Sequence, residues 1–250
     1  MRPDNGRRPR RPTWRSTGSR LSDLVPSDLA IDPAARVHPT ADLESGVVVG
    51  PRTSIWHRAQ VRTGTRIGAE CVIGRDVFLD EGVSIGDRVK IQNGALLYHG
   101  VTVEDGVFIG PGAILTNDRF PRAVTATGEL ARAGDWTVSP ITLRRGCSIG
   151  AGAVVVAGTT VGTFATVGAA AVVTRDVAPH SLVVGNPARA LGWVCACGAR
   201  LVDEHGAPVG ATPGPSAPMH CSACMRVYAF ESAAEAVREL AGVPAQSGAS

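Results

Sequence analysis

Four polar residues whose side chains could support acid–base chemistry recur at intervals of 18 along the chain: Thr63, Glu81, His99 and Asn117. An imidazole or a carboxylate can accept a proton from a reacting group, and a carboxamide can donate a hydrogen bond to a developing oxyanion. If residues at this spacing lie above one another in the fold, the four side chains form a single outward column. Such a column could support a group transfer.

A second set with the same spacing comprises His57, Arg75, Asn93 and Pro111. Members of both sets lie two residues after an aliphatic residue, so both sets are expected to face outward. His57 and Asn93 are candidates for contact with a substrate. The alternative is that they form a polar ladder between neighbouring turns of the fold.

The elements that must position these columns are indicated by an aliphatic residue at every sixth position. Val, Ile or Leu occurs fourteen times in succession from Val37 to Leu115, and six more times from Leu143 to Val173. A period of six fits neither a helix nor a long alternating strand and is typical of a parallel β-helix, with three hexads to a coil. We therefore predict an all-β solenoid of between six and seven coils. Glycines that follow the aliphatic residues, such as Gly68 and Gly150, are expected to supply permissive backbone angles at tight corners.

The step from Leu115 to Leu143 is 28 residues, which is not a multiple of six. Residues 116–142 are therefore predicted to leave the solenoid as an inserted loop at the top of the first column. The remaining organisation that we predict is a disordered Arg/Pro-rich leader over 1–30, a β-helix over 31–192 and a small module over 193–250. A short terminal helix is expected over 231–240.

The six cysteines fall into two groups. Cys71 and Cys147 occupy small interior positions of the hexads and are predicted to be buried. The other four form two close pairs that suggest a structural zinc ribbon, with a partial site or a disulfide as alternatives. Four thiolates would leave no open position on the metal for chemistry. These four candidate ligands are Cys195, Cys197, Cys221 and Cys224.

Charge is distributed unevenly, because the first twenty residues hold seven arginines and one acid, whereas the rest of the chain holds 18 basic and 21 acidic residues. The leader could contact nucleic acid or anionic lipid, but we favour a disordered extension and expect no nucleic-acid partner. No apolar stretch approaches the length of a membrane span. The paired arginines precede no apolar region, so we do not expect export. We expect a cytoplasmic location instead.

Four stretches resemble the left-handed β-helix sugar-nucleotide N-acetyltransferases: Ile55–His57, Val89–Asn93, Leu115–Arg122 and Leu182–Arg189. The resemblance covers about residues 31–192 and implies the hand of the helix, acetyl-CoA as co-substrate and a homotrimer. Its members acetylate the 3-amino group of nucleotide-linked amino sugars. One branch acts on UDP-2-acetamido-3-amino-2,3-dideoxyglucuronate and another on dTDP-3-amino-3,6-dideoxyhexoses. The chain has features of both branches, so the nucleotide and the sugar stay open.

The resemblance also implies roles for particular residues. Asn117 matches an asparagine near the reacting centre, where it would hold the amine or the carbonyl oxygen. His99 and Glu81 are further catalytic candidates because they share its column. The remaining candidates are Asp118 and Arg122 for the sugar or its pyrophosphate, and Asn186 and Arg189 for CoA.

Three other functions are compatible with a solenoid of this kind. A γ-type carbonic anhydrase needs three histidines that converge on zinc, and no histidine lies at solenoid spacing from His99 or His57 that could complete such a triad. An O-acetyltransferase acting on a sugar or serine hydroxyl is the nearest enzyme alternative, and it would need a general base more strictly. A non-catalytic solenoid would need neither the inserted loop nor the column that ends at Asn117.

Overall fold

The computed structural model describes residues 29–132, 134–212, 218–231 and 236–240. The leader predicted over 1–30 therefore lies outside the described residues, except for its last two positions. The described part of the chain contains strands and no helix. Within these ranges no segment forms a helix of the length and apolarity that crossing a membrane would require.

Each coil places one short strand in each of three parallel sheets, as the hexads predict. The first sheet consists of β1 (Ala30–Ile31), β4 (Val48–Val49), β7 (Arg66–Ile67), β10 (Ser84–Ile85), β13 (Val101–Val103), β16 (Ile141–Leu143) and β19 (Thr160–Val161). The second consists of β2 (Arg36–Val37), β5 (Ser54–Ile55), β8 (Val72–Ile73), β11 (Lys90–Ile91), β14 (Phe108–Ile109), β17 (Ser148–Ile149), β20 (Thr166–Val167), β22 (Ser181–Val184) and the antiparallel β23 (Arg189–Trp193). The third consists of β3 (Asp42–Leu43), β6 (Gln60–Val61), β9 (Phe78–Leu79), β12 (Leu96–Leu97), β15 (Ile114–Leu115), β18 (Val154–Val155) and β21 (Val172–Val173).

The predicted parallel solenoid is confirmed, and residues 18 apart do pair in register, as Leu79 does with Leu97. Strands β1 to β21 make seven complete coils and β22 begins another, slightly more than predicted, because Ile31 adds a hexad before Val37. The aliphatic column fills the interior, where Leu79 and Leu97 are fully buried. A single coil cannot bury this column alone, so the coils stabilise one another by stacking.

Small interior positions alternate with the aliphatic ones along the chain. Cys71 and Cys147 are fully buried there, as predicted. Burial raises the pKa of the Cys147 thiol to about 12. Thr53 and Thr65 are also fully buried, and their hydroxyls donate to the carbonyl oxygens of Gly68 at 2.7 Å and Asp80 at 2.9 Å. The buried hydroxyls are therefore satisfied by the next coil.

The predicted reason for glycine after the aliphatic residues is wrong. Gly68 and Gly150 are not among the residues with positive φ. A Cβ atom at Gly150 would lie 2.5 Å from the backbone nitrogen of Ala169 in the next coil, and one at Gly68 would lie 2.7 Å from the carbonyl carbon of Gly86. Glycine is needed at these positions because two coils approach closely, not because the backbone angle is unusual.

The inserted loop leaves the solenoid after β15 and the coils resume at β16. Val103 pairs with Leu143, a separation of 40 residues in place of the usual 18. The solenoid resumes at Ile141, which pairs with Val101, two residues earlier than predicted. The register of the first sheet therefore continues across the insertion.

A small C-terminal unit follows the last coil. It contains β24 (Met219–His220), β25 (Val227–Glu231) and β26 (Ala236–Glu239), which form an antiparallel sheet. The terminal helix predicted over 231–240 is wrong, because β26 pairs with β25 through residues such as Val237 and Phe230. A separate apolar cluster that includes Trp193, Leu201 and Tyr228 forms the interior of this unit.

Candidate active site

The first polar column lies at the corner that follows the third sheet. Val61, Leu79, Leu97 and Leu115 pair in register from coil to coil. The residues two positions later are the four column members, Thr63, Glu81, His99 and Asn117. The first three are exposed and Asn117 is half-buried. The structure therefore brings the predicted catalytic residues together on one surface.

The imidazole of His99 is held in a defined tautomer. Its Nδ1 lies 2.7 Å from the backbone carbonyl oxygen of Glu81, one coil away. A carbonyl oxygen only accepts hydrogen bonds, so Nδ1 must carry the proton. The other nitrogen, Nε2, then has a free lone pair and can accept a proton from a reacting group.

Glu81 contributes to this arrangement through its backbone. Its carbonyl orients His99, and its own N–H donates to Oδ1 of Asp80 at 2.8 Å. The carboxylate of Glu81 is exposed. Because the observed contact with His99 uses only the backbone of Glu81, a residue with a different side chain at this position could also make it.

Asn117 stands where the inserted loop begins. Its carbonyl oxygen accepts from the backbone N–H of Ser139 at 3.0 Å, which joins the two ends of the loop. Asp118 turns the chain by accepting from Phe120 N–H at 2.8 Å, and Arg122 donates to the carbonyl of Pro121.

Asp118 and Arg122 share a cavity of about 380 Å³ within the loop. Phe120, Val124 and Trp136 also line it, and all three are exposed apolar residues. The structure thus groups two of the four residues predicted to bind substrate, and His57 and Asn93 are not among those that line this cavity. Asn117 is not among the residues that line this cavity.

The second polar column lies at a different corner, the one that follows the second sheet. Ile55, Ile73 and Ile91 pair in register there, two residues before His57, Arg75 and Asn93. The two columns of one chain therefore do not converge.

Most contacts of the second column run between its own coils. Oδ1 of Asn93 accepts from the backbone N–H of Arg75 at 2.9 Å, one coil away. His57 stacks on His38 with ring centroids 3.7 Å apart. Burial and the neighbouring His57 lower the pKa of His38. These contacts are those of a polar ladder.

The end of the solenoid carries the residues predicted to contact CoA. Asn186 and Arg189 are both exposed, and Arg189 donates to the carbonyl of Ala188 at 3.0 Å. A cavity of about 410 Å³ is lined by Ala188 and Ala190, but not by Arg189. Side chains alternate along a strand, which separates Arg189 from the face of its two neighbours.

Arg175 lines this terminal cavity and was missed by the sequence prediction. Leu115 pairs with Val155, and Val155 pairs with Val173. Arg175 therefore continues the column of Asn117, two coils further on. Counting by 18 from Asn117 does not reach it, because the inserted loop interrupts the count.

The four C-terminal cysteines converge, as predicted for a metal site. Their Sγ atoms all lie within 4.8 Å of one another, and none forms a disulfide. Sulfur atoms bound tetrahedrally to zinc at 2.3 Å would lie about 3.8 Å apart, so the four thiols fit this ion. Although burial raises it, hydrogen bonds from Cys197 N–H and the Tyr228 hydroxyl bring the pKa of Cys195 to about 7.

Comparison with known proteins identifies the repeats. Residues 82–117 match the family described as bacterial transferase hexapeptide (six repeats). Residues 64–99 and 140–175 match the hexapeptide repeat of succinyl-transferase. The predicted hexapeptide repeats are confirmed.

A stretch of 59 residues is 51% identical to the dTDP-3-amino-3,6-dideoxy-α-D-galactopyranose 3-N-acetyltransferase of Aneurinibacillus thermoaerophilus, and covers 24% of this chain and 31% of that protein. The chain thus spans less than a third of the length of the curated relatives it matches. One similar solved structure is a mutant of AntD, an N-acyltransferase from Bacillus cereus, in complex with dTDP and coenzyme A. It has a TM-score of 0.51 and 22% identity over 61% of this chain and 85% of that chain, and supports the fold.

Proposed function

We infer that this chain, which carries the hexapeptide repeats of bacterial transferases, is an acetyl-CoA-dependent N-acetyltransferase. It acts on the 3-amino group of a nucleotide-linked amino sugar. The observation that carries this proposal is the hydrogen bond between Nδ1 of His99 and the carbonyl oxygen of Glu81, which leaves Nε2 as a proton acceptor one coil away from Asn117. The local identity to a 3-N-acetyltransferase of a dTDP-linked amino sugar supports the same class of acceptor.

The reaction forms one C–N bond and breaks one C–S bond. The neutral amine attacks the thioester carbonyl of acetyl-CoA, and Nε2 of His99 accepts the proton that the nitrogen loses. The Nδ2 group of Asn117 donates to the oxyanion that develops on the carbonyl. Collapse of this intermediate releases the CoA sulfur, which takes up the proton as a thiol.

The inserted loop supplies the acceptor site in this proposal. Arg122 presents a guanidinium suited to a pyrophosphate, and Asp118 can accept hydrogen bonds from sugar hydroxyls. Both line the loop cavity, which Phe120 and Trp136 provide with apolar surface for a base or a sugar ring. The relative's name favours a dTDP-linked sugar, which we adopt as the first candidate.

Acetyl-CoA would lie along the first column toward the end of the solenoid. Arg175 continues the column and lines the terminal cavity, so its guanidinium can meet a CoA phosphate. Coils are spaced by about 4.8 Å, so the column places Arg175 about 10 Å beyond Asn117. Asn186 and Arg189 remain candidates for the outer part of CoA.

The proposed assembly is a homotrimer with its sites between neighbouring chains. His99 and His57 lie at different corners of one solenoid. A site that uses both columns must therefore take one of them from a second copy of the chain. We also infer a cytoplasmic location and a structural zinc ion held by the four C-terminal cysteines.

The test is CoA release from acetyl-CoA with a panel of dTDP- and UDP-linked 3-amino sugars, using the wild type and Asn117→Ala. We expect turnover with one acceptor and a loss of about 10²-fold in kcat for Asn117→Ala, the size expected for an oxyanion donor. Gln60→Ala, which removes an exposed carboxamide outside the column, serves as the control. Turnover only on a hydroxyl acceptor would replace the proposal by O-acetylation.

A further inference from the structure

We propose that Asp80 is a positioning residue that fixes the tautomer and the placement of His99. The inference deepens the proposed function and depends on it. Asp80 lies one residue before Glu81 and one coil away from Tyr98, the residue that precedes His99. Its side chain is only 13% exposed, which separates it from the solvated acids of the surface.

The carboxylate of Asp80 accepts three hydrogen bonds. Oδ1 accepts from the backbone N–H of Glu81 at 2.8 Å and from Nη1 of Arg62 at 2.9 Å. Oδ2 accepts from the backbone N–H of His99 at 3.1 Å. One side chain thus binds the peptide groups of two neighbouring coils.

These two peptide groups belong to the residues joined by the tautomer-setting bond. His99 supplies Nδ1–H to that bond and Glu81 supplies the carbonyl oxygen, at 2.7 Å. Because Asp80 holds the N–H of both residues, it limits how far the donor and the acceptor can move apart. The proton-accepting Nε2 is therefore positioned through a carboxylate that does not touch it.

The bond to the backbone of the next coil recurs two coils earlier with a glutamate. Oε2 of Glu44 accepts from the backbone N–H of Thr63 at 3.0 Å, as Asp80 does from His99. Arg62 joins the two acids, with its Nε 3.4 Å from Glu44 and its Nη1 2.9 Å from Asp80. Hydrogen bonds from Thr63, with a smaller contribution from Arg62, lower the pKa of Glu44. The corner can therefore accommodate either acid for the bond to the N–H of the next coil.

Acids that bind the backbone of a neighbouring coil also occur at another corner. Oδ1 of Asp87 accepts from Ala69 N–H at 2.7 Å, and Oδ1 of Asp105 accepts from Asp87 N–H at 2.9 Å. These acids join coils but hold no histidine. Asp87→Asn, whose amide oxygen can still accept from Ala69 N–H, is therefore a control for the loss of charge at an acid that joins coils.

Asp80→Asn tests the role because an amide cannot replace this carboxylate. Three N–H donors face the two oxygens of Asp80, and an amide has only one oxygen and one NH₂ group. Either orientation of the amide sets its NH₂ group against at least one of these donors. Asp80→Glu keeps both oxygens and reproduces the acid found at Glu44.

Steady-state kinetics give the first measurement. We expect Asp80→Asn to lower kcat by about ten- to hundredfold with KM within about twofold of the wild type, because a misplaced catalytic group costs rate more than binding. Asp80→Glu should recover most of kcat, and Asp87→Asn should match the wild type. Equal kcat for Asp80→Asn and Asp87→Asn would overturn the proposal. If Asp80→Asn does not fold, Arg62→Gln should still lower kcat by about fivefold with KM unchanged, and an unchanged kcat would overturn it.

Nitrogen-15 spectra of the histidine rings give a readout that does not need substrate. The wild type and Asp80→Glu should show His99 with the proton on Nδ1, and Asp80→Asn should shift it toward the Nε2–H form. An unchanged tautomer in Asp80→Asn would overturn the inference, even if no amino sugar in the panel is acetylated. Failure of the acetylation alone would instead count against the proposed function.

Discussion

In His99, a single hydrogen bond determines which ring nitrogen can accept a proton. Its partner is the carbonyl oxygen of Glu81, which has no ionisable proton and therefore holds one tautomer at every pH at which the ring is neutral. The side chain of Glu81 has no part in this bond. Loss of the Glu81 carboxylate should consequently matter less than loss of the imidazole.

Replacing His99 by alanine removes the proposed proton acceptor and should lower kcat by about 10²- to 10⁴-fold, the usual contribution of general base catalysis. The measurement is CoA thiol release at saturating acetyl-CoA. His205→Ala, in which the lost ring is largely exposed on the C-terminal unit, is the control and should retain full activity. Full activity in His99→Ala would mean that the amine loses its proton to water.

Counting along the sequence was enough to place His99 and Asn117 in one column, because the hexad fixes which residues stack. The same counting could not identify Asp80, whose role depends on backbone N–H groups that no side-chain pattern records. Arg175 was missed for another reason, since the inserted loop shifts the spacing of its coil. Asn93 matched the pattern expected of a binding residue, but its observed bond is to the backbone of Arg75.

At the scale of elements, the C-terminal sheet and the last coils meet through a series of aromatic contacts. The ring of His180 lies 5.3 Å from that of Phe164 in the solenoid and 5.2 Å from that of Tyr228 in the C-terminal sheet. The Tyr228 hydroxyl accepts from Ala196 N–H and donates to Sγ of Cys195, each at 3.1 Å. The cysteine cluster is thus packed, through Tyr228 and His180, against the last coils of the solenoid.

We expect one zinc ion per chain and a lower unfolding temperature when a chelator removes it, since structural zinc contributes directly to folding free energy. Cys221→Ala should abolish zinc binding and reproduce the lower temperature. Cys147→Ala, which alters a buried thiol of the solenoid, should keep its zinc. Metal analysis together with calorimetry distinguishes these variants, and zinc retained by Cys221→Ala would exclude the four-thiolate site.

The segment for which a terminal helix was expected includes residues that favour helices in isolation, such as Leu240 and Glu239. In the structure Glu239 pairs with Tyr228, and Val237 is buried in the apolar cluster of the C-terminal unit. Local preference is worth only a few tenths of a kcal/mol for each residue, so pairing with an existing sheet outweighs it. The solenoid was predictable because every hexad repeats the same packing, whereas this unit has no repeat.

At the scale of the whole molecule, the separation of the two columns makes assembly testable by complementation. If each site takes His99 from one chain and His57 from its neighbour, then His99→Ala and His57→Ala chains mixed during refolding or co-expression should restore activity. Random trimers of the two inactive chains should recover about one quarter of the wild-type sites. The double variant His57→Ala/His99→Ala is the control and should stay inactive in every mixture. Absence of recovery would mean that both residues act within one chain or that His57 has no part in the site.

The inserted loop occupies a particular position in the architecture. It departs between two coils whose strands still pair residue for residue, Val101 with Ile141 and Val103 with Leu143. The packing of the solenoid interior therefore does not depend on the length or the sequence of the segment that carries Asp118 and Arg122. Descendants of such a chain can exchange this segment, and with it the molecule that they recognise, while they inherit the scaffold unaltered.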